Sequence, residues 1–131
     1  MHSGIQESNG GVARFYRMET GANAALSTEI TGYALSALLE LHARTGSPSY
    51  LEAALRAGEY LAREGWHPEL ETFPFETGDG VPFFTYFFDL GIIARALLRL
   101  ARVTGDARWQ ELAQRTGVAM ERDFAAPEGY H

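Results

Sequence analysis

The 131-residue sequence contains no cysteine and no lysine. The first absence removes disulfides, thiolate metal ligands and thiol nucleophiles together. The second leaves all 11 basic residues as arginine, set against 17 acidic ones, for a net charge of −6. A surface of that sign repels a phosphate backbone, so nucleic acid is not an expected partner. A membrane span needs roughly 20 clean apolar residues. The most apolar window, Val81 to Leu100, is interrupted by Pro82, Asp89, Gly91, Arg95 and Arg99. The stretch Met1 to Glu7 has no basic region followed by an apolar one, so no leader and no membrane partner are expected, and the expected location is cytoplasmic. No two histidines stand at metal-ligand spacing with a carboxylate, and no glycine-flanked serine follows a strand. Gly78-Asp79-Gly80 is a turn and not a phosphate-cradling loop. Neither a metal nor a cofactor is expected.

What is present is a folding composition, 46% hydrophobic and 21% charged, in a chain long enough for one domain. The strongest signal is internal repetition. A shift of 59 positions sets Gly32 on Gly91, Ala37-Leu38-Leu39 on Ala96-Leu97-Leu98, Leu41 on Leu100 and Thr45-Gly46 on Thr104-Gly105. It also sets Glu52, Ala54, Arg56, Gly58 and Arg63 on Glu111, Ala113, Arg115, Gly117 and Arg122. Shared helical composition would not supply matched glycines, each of which costs a helix interior about 1 kcal/mol. A fixed period of this size means stacked supersecondary units.

Each unit reads as two helices. The apolar period over 28–44 stops at Thr45-Gly46, and Ser47-Pro48 starts the next helix with a cap and a proline at its first position. The second unit repeats the stop at Thr104-Gly105, with Asp106 as the cap. The expected fold is therefore all-α: helices over about 28–44, 48–64, 86–103 and 107–123 form two antiparallel hairpins. The first and third are apolar nearly all round and should be inner; the second and fourth are one-sided and should be outer. Gly32, Gly58, Gly91 and Gly117 should mark close approach between layers. The segments are 1–27 (a loop with a tight Asn9-Gly10-Gly11 turn between short strands), hairpin 28–64, loop 65–85, hairpin 86–124 and tail 125–131. Two hairpins cannot cover both flanks of their inner helices. Either a second copy, through dimerisation, or the remainder of a longer chain is expected to do so.

Segments 1–27 and 65–85 are too long for plain connections, and in this topology both fall over the N-termini of the inner helices. That end is the expected functional face. It carries seven aromatics between Phe73 and Phe88, including Phe84 and Tyr86, interleaved with acids, and the N-terminal segment adds Arg14, Tyr16 and Arg17. Aromatic faces beside carboxylates suit a sugar, with its apolar C–H faces and hydroxyl rim; equally, such aromatics can simply pack on one another. Glu29 and Asp89 lie in the first turns of neighbouring inner helices. They read either as the acid–base pair that glycoside chemistry needs or as acids complementing the helix dipole. Tyr33 faces either the mouth or the core. His67, beside Trp66, is either an acid–base group or an exposed loop residue.

The run Thr28-Glu29-Ile30-Thr31-Gly32-Tyr33-Ala34-Leu35, with Thr45-Gly46 and Tyr50-Leu51-Glu52-Ala53-Ala54, resembles a hairpin of the (α/α) toroids of six-hairpin glycosidase type. Phe88-Asp89-Leu90-Gly91-Ile92-Ile93 with Thr104-Gly105-Asp106 resembles the next hairpin. Glucuronyl C5-epimerase-like and sugar 2-epimerase-like proteins, unsaturated glucuronyl hydrolases and polysaccharide lyases share this layout. The resemblance covers roughly residues 5–124. It implies a closed ring of about six hairpins with a sugar site in its mouth, of which this chain supplies two as a piece of a longer protein. On that reading Glu29 and Asp89 occupy catalytic positions. Arg14, Tyr16, Arg17, Tyr33, Trp66, His67, Phe84 and Tyr86 would contact a glycan, the arginines meeting uronate carboxylates. The chemistry would be hydrolysis, epimerisation or elimination in a complete ring, with two hairpins alone inactive. The competing readings are a non-enzymatic helical module that holds a protein partner and a terpene-type (α/α) barrel; the loop carboxylates speak against the latter.

Overall fold

The computed structural model describes residues 4–127 and 129–130, so positions 1–3 of the N-terminal segment and 128 and 131 of the tail lie outside the described residues. Four helices carry the fold: α1 (Thr28–Thr45), α2 (Pro48–Tyr60), α3 (Phe87–Thr104) and α4 (Ala107–Phe124). The repeated turns are built alike. Gly46 and Gly105 close α1 and α3 in the left-handed region at φ 69° and 70°. In both turns a threonine hydroxyl, Thr45 or Thr104, accepts from the backbone N–H two residues on, at 3.2 Å. Asp106 caps α4 through the Arg108 N–H at 2.9 Å. Ser47 occupies the N-cap position of α2 without a capping bond, its hydroxyl pairing instead with that of Ser49.

α2 stops four residues short of the expected end. Residues Leu61–Gly65 widen into a single π-helical turn, closed by the Trp66 N–H on the Leu61 carbonyl at 2.8 Å. The wide turn seats Gly65 against Phe73 and Thr28, where an added Cβ would lie 3.4–3.5 Å from both side chains.

The inner-outer division holds, with α1 packed on α3 and each flanked by its hairpin partner. Leu35, Leu38, Leu39, Ile93, Leu97, Leu100, Tyr60 and Trp109 are sealed between them. Close approach occurs at two of the four expected glycines. A Cβ on Gly32 would stand 3.3 Å from Ile93 Cγ1, and one on Gly58 would stand 2.6 Å from Leu100 Cδ2 and 3.2 Å from the Trp109 ring. The expectation fails at Gly91 and Gly117, which face no packed neighbour: only Met120 Cε comes within 3.7 Å of the first, and nothing within 4 Å of the second. Both flanks of the inner pair are left open, Tyr33 and Leu41 being exposed on α1 and Phe88 and Leu98 on α3. No helix among the described residues is long and apolar enough to cross a membrane.

The short strands lie over one end. β1 (Val12–Ala13) pairs with β4 (Leu26–Ser27), and β2 (Tyr16–Arg17) with β3 (Ala22–Asn23). Arg14 N–H to Ala25 O and Ala24 N–H to Phe15 O connect the two pairs into one hairpin. Its tip is Met18–Gly21, a second turn besides the expected one at Asn9–Gly11. The latter is a tight turn, but its outer arm is a single Gln6–Val12 bridge. β5 (Glu76–Thr77), from the 65–85 crossover, adds to β4 in antiparallel register, so the two long segments share one sheet, as the topology required. In the tail, β6 (Ala125–Ala126) pairs with β7 (Gly129–Tyr130).

Gly58→Ala tests the α2–α3–α4 junction. The alanine gains helix propensity of under about 1 kcal/mol, but overpacks buried Leu100 and Trp109 at a cost of about 1–3 kcal/mol. The expected outcome is a net loss of stability, read as a lower urea midpoint.

Candidate functional site

The mouth is assembled by hydrogen bonds that pin the start of α1. Ser27 caps the helix by accepting from the Ile30 N–H at 3.2 Å. The Thr28 hydroxyl donates to the Pro74 carbonyl at 2.6 Å, and the Thr28 N–H donates to the Phe75 carbonyl at 3.1 Å. Thr31 accepts from the Val12 N–H at 2.9 Å and donates to the Ser27 carbonyl at 2.7 Å. The Tyr60 hydroxyl bonds that of Thr77, and burial pushes its pKa up to about 12. All of these partners are supplied by the strands and the crossover, so the roof and the α1 N-terminus form one unit.

Under this roof Glu29 and Asp89 are brought close enough to interact electrostatically. Asp89 is 7% exposed, and its Oδ2 has no hydrogen-bond partner among the described residues. Burial first, and the Glu29 charge second, push its pKa from 3.8 up to about 6. Glu29 is half-buried. Adjacent carboxyl groups, one of which holds its proton two decades of acidity longer than usual, can supply a general acid beside a carboxylate. A helix-start acid serving only the dipole would be solvated and ordinary; the burial of Asp89 departs from that.

The other expected site residues separate into two groups. Tyr33 is 44% exposed, on the open flank of α1 and not in the core. Tyr16, Phe84 and Tyr86 are also about half exposed, Tyr86 standing edge-on to Phe75 at 5.5 Å. Phe15, Phe83 and Phe88, not singled out from sequence, are exposed as well. Arg14 is engaged already: it pairs with Glu76 at 2.6 Å and lies over the Phe15 and Phe75 rings. Arg17 lies over the other side of the Phe15 neighbourhood, 5.6 Å from the ring centroid, and forms no ion pair among the described residues.

Trp66 and His67 are corrections. Trp66 is buried, edge-on to Phe73 at 5.1 Å and covered by Arg115 at 4.8 Å. Its ring is core between α2 and α4 and offers no platform. His67 is half-buried against Phe83 at 5.4 Å, and its Nδ1 accepts from the Leu70 N–H at 3.2 Å. It holds the turn that carries Glu71 at φ 51°. Among the described residues no group of three histidine, aspartate or glutamate side chains could hold a metal.

The pKa of Asp89 has a thermodynamic consequence. Below about pH 3 the carboxyl is protonated folded or unfolded and contributes nothing. As pH rises from 3.8 through 6 the unfolded chain ionises first, so stability is lost, by up to about 3 kcal/mol. Asp89→Asn keeps the neutral shape. It should match the parent in urea denaturation at pH 3 and exceed it by up to about 3 kcal/mol at pH 7.5.

No protein-family model matches the chain, and no curated sequence matches it. Solved structures do. A sugar epimerase from a ruminal bacterium superposes with a TM-score of 0.85 at 17% identity, over 96% of this chain and 34% of its own. The cellobiose 2-epimerase from Spirochaeta thermophila superposes with 0.83 at 23% identity, over 98% and 34%. A polysaccharide lyase gives 0.73 at 15%, over 92% and 20%. The chain thus spans about a third of the length of the two epimerases. In fold it matches two neighbouring hairpins of an (α/α)6 toroid.

Proposed function

We propose that the chain forms a sector of a carbohydrate-active toroid, in which Asp89 acts as a proton donor and Glu29 as its carboxylate partner on a glycan held at the mouth. The observation that carries this reading is the buried Asp89 carboxyl, its Oδ2 without a partner among the described residues, within electrostatic reach of Glu29 at the start of two adjacent inner helices. A general acid works best with its pKa near the operating pH, which a value of about 6 meets. Phe84 and Tyr86 supply exposed aromatic faces for sugar C–H surfaces, with Tyr16 on the neighbouring hairpin. Arg17 is the cation better placed for a uronate carboxylate, since Arg14 is neutralised by Glu76. Whether the chemistry is hydrolysis, epimerisation or elimination is set by what stands across the ring from this pair.

Both tryptophans are buried, at 7% and 0% exposure, so indole fluorescence is a poor reporter of sugar binding. NMR of tyrosine-labelled protein is the direct test. Titration with cellobiose or a glucuronate disaccharide should shift the ring signals of Tyr16 and Tyr86 and leave that of buried Tyr60 in place. No movement with either sugar would sink the reading. Independently, the side-chain carbon signal of Asp89 should titrate near pH 6. Glu29→Gln should lower that midpoint only part of the way towards 3.8, because burial is the larger cause.

A further inference from the structure

The repeat identifies what fits the two uncovered flanks. Residues 59 positions apart hold equivalent places in the two hairpins, so each surface used where α1–α2 packs on α3–α4 exists twice. In the packed copy, Gly32 receives Ile92 and Ile93, and Gly58 receives Leu100 and Trp109. The duplicates of the receiving sites are Gly91, which meets only Met120 Cε at 3.7 Å in a surface groove, and Gly117, which faces open space. The duplicates of the inserted side chains are Tyr33, Ala34, Leu41 and Tyr50, and none of them is sealed; Tyr33 and Leu41 are 44% and 40% exposed. Leu39 is likewise 1% exposed where its duplicate Leu98 is 40% exposed. One flank is an empty socket and the other is the plug that fits it.

Charge agrees with shape. Arg99 donates to Glu40 at 3.1 Å, and these residues are one repeat apart. An additional α1 laid on α3 in the same register would bring its own Glu40 to Arg99, again with opposite sign. The groove it would enter, about 640 Å³, is lined by Arg95, Arg99 and Arg102 and by no acid.

We propose that the α3–α4 flank takes the α1–α2 hairpin of a second copy of this chain, head to tail, and that the assembly closes as a ring of three. A heterologous contact repeated with constant rotation forms a ring where the rotation closes. Three copies supply six hairpins, in keeping with a chain that spans 34% of each epimerase. The mouth above the inner helices is then walled on all sides, which one copy cannot achieve. The inference rests on the toroidal fold and the repeat and not on the sugar chemistry, so a failure here leaves the sugar titration to be judged by itself.

Sedimentation and light scattering of the 131-residue protein should give three times 14.5 kDa, about 44 kDa. Gly117→Arg blocks the socket, and Leu41→Arg blocks the plug. Both positions face open space or solvent in one copy, so far-UV circular dichroism should be unchanged while each variant alone becomes a monomer. Mixed, the two variants retain one intact socket and one intact plug, and should form a 1:1 dimer. A monomeric or two-fold parent protein, or an assembly indifferent to both substitutions, would overturn the proposal.

Discussion

The close packing of α1 on α3 at Gly32 is the constraint on which the site depends. The missing side chain lets Ile93 settle against the α1 backbone, with an imagined Cβ only 3.3–3.4 Å from its atoms. Two inner helices in such contact start at neighbouring points, and Glu29 and Asp89 sit in those first turns. Their mutual repulsion, on top of the burial of Asp89, is thus a consequence of backbone proximity. Nature places like charges this close where one of them is meant to stay protonated, or where the fold tolerates the cost.

The roof over this end is a second, cooperative layer. β4 is the hinge of the arrangement, with β1 on one side and β5 on the other, so the segment before α1 and the segment before α3 are parts of one sheet. Thr28 and Thr31, both fully buried, convert what would be free helix-start groups into bonds with that sheet. Buried backbone polar groups need such partners, which is why two long, irregular segments can be ordered without helices of their own. The aromatics divide accordingly. Phe73 is sealed beneath the roof, against Gly65 and Trp66, while Phe83, Phe84, Tyr86 and Phe88 stay exposed.

Elements with a local cause were readable from the chain. Thr45-Gly46 and Thr104-Gly105 end helices because glycine enters the left-handed region without strain, and the two turns adopt it at φ 69° and 70°. The 3.6-residue period placed the helices to within a residue or two, save for the π-helical end of α2, whose cause is the fit of Gly65 to Phe73 and Thr28 across the sheet. The site was legible in part. The offsets of Glu29 and Asp89 put both in first turns, where acids also serve a dipole; the burial that raises the pKa of Asp89 depends on residues packed over it and could not be read from those offsets. Trp66 and His67 look alike in sequence to any loop aromatic and loop histidine; the Arg115 cover and the Leu70 N–H that occupy them come from residues 49 and 3 positions away.

By itself the sequence determined the hairpins, their duplication and the end at which the long segments gather, because periodicity, caps and chain direction act over a few residues at a time. Tertiary structure alone decided which glycines of the repeat are filled, which aromatics face solvent and which carboxyl loses its water. Those properties depend on what lies across the packing interface. Two related repeats differ in them chiefly where one has a neighbour on the flank and the other has none.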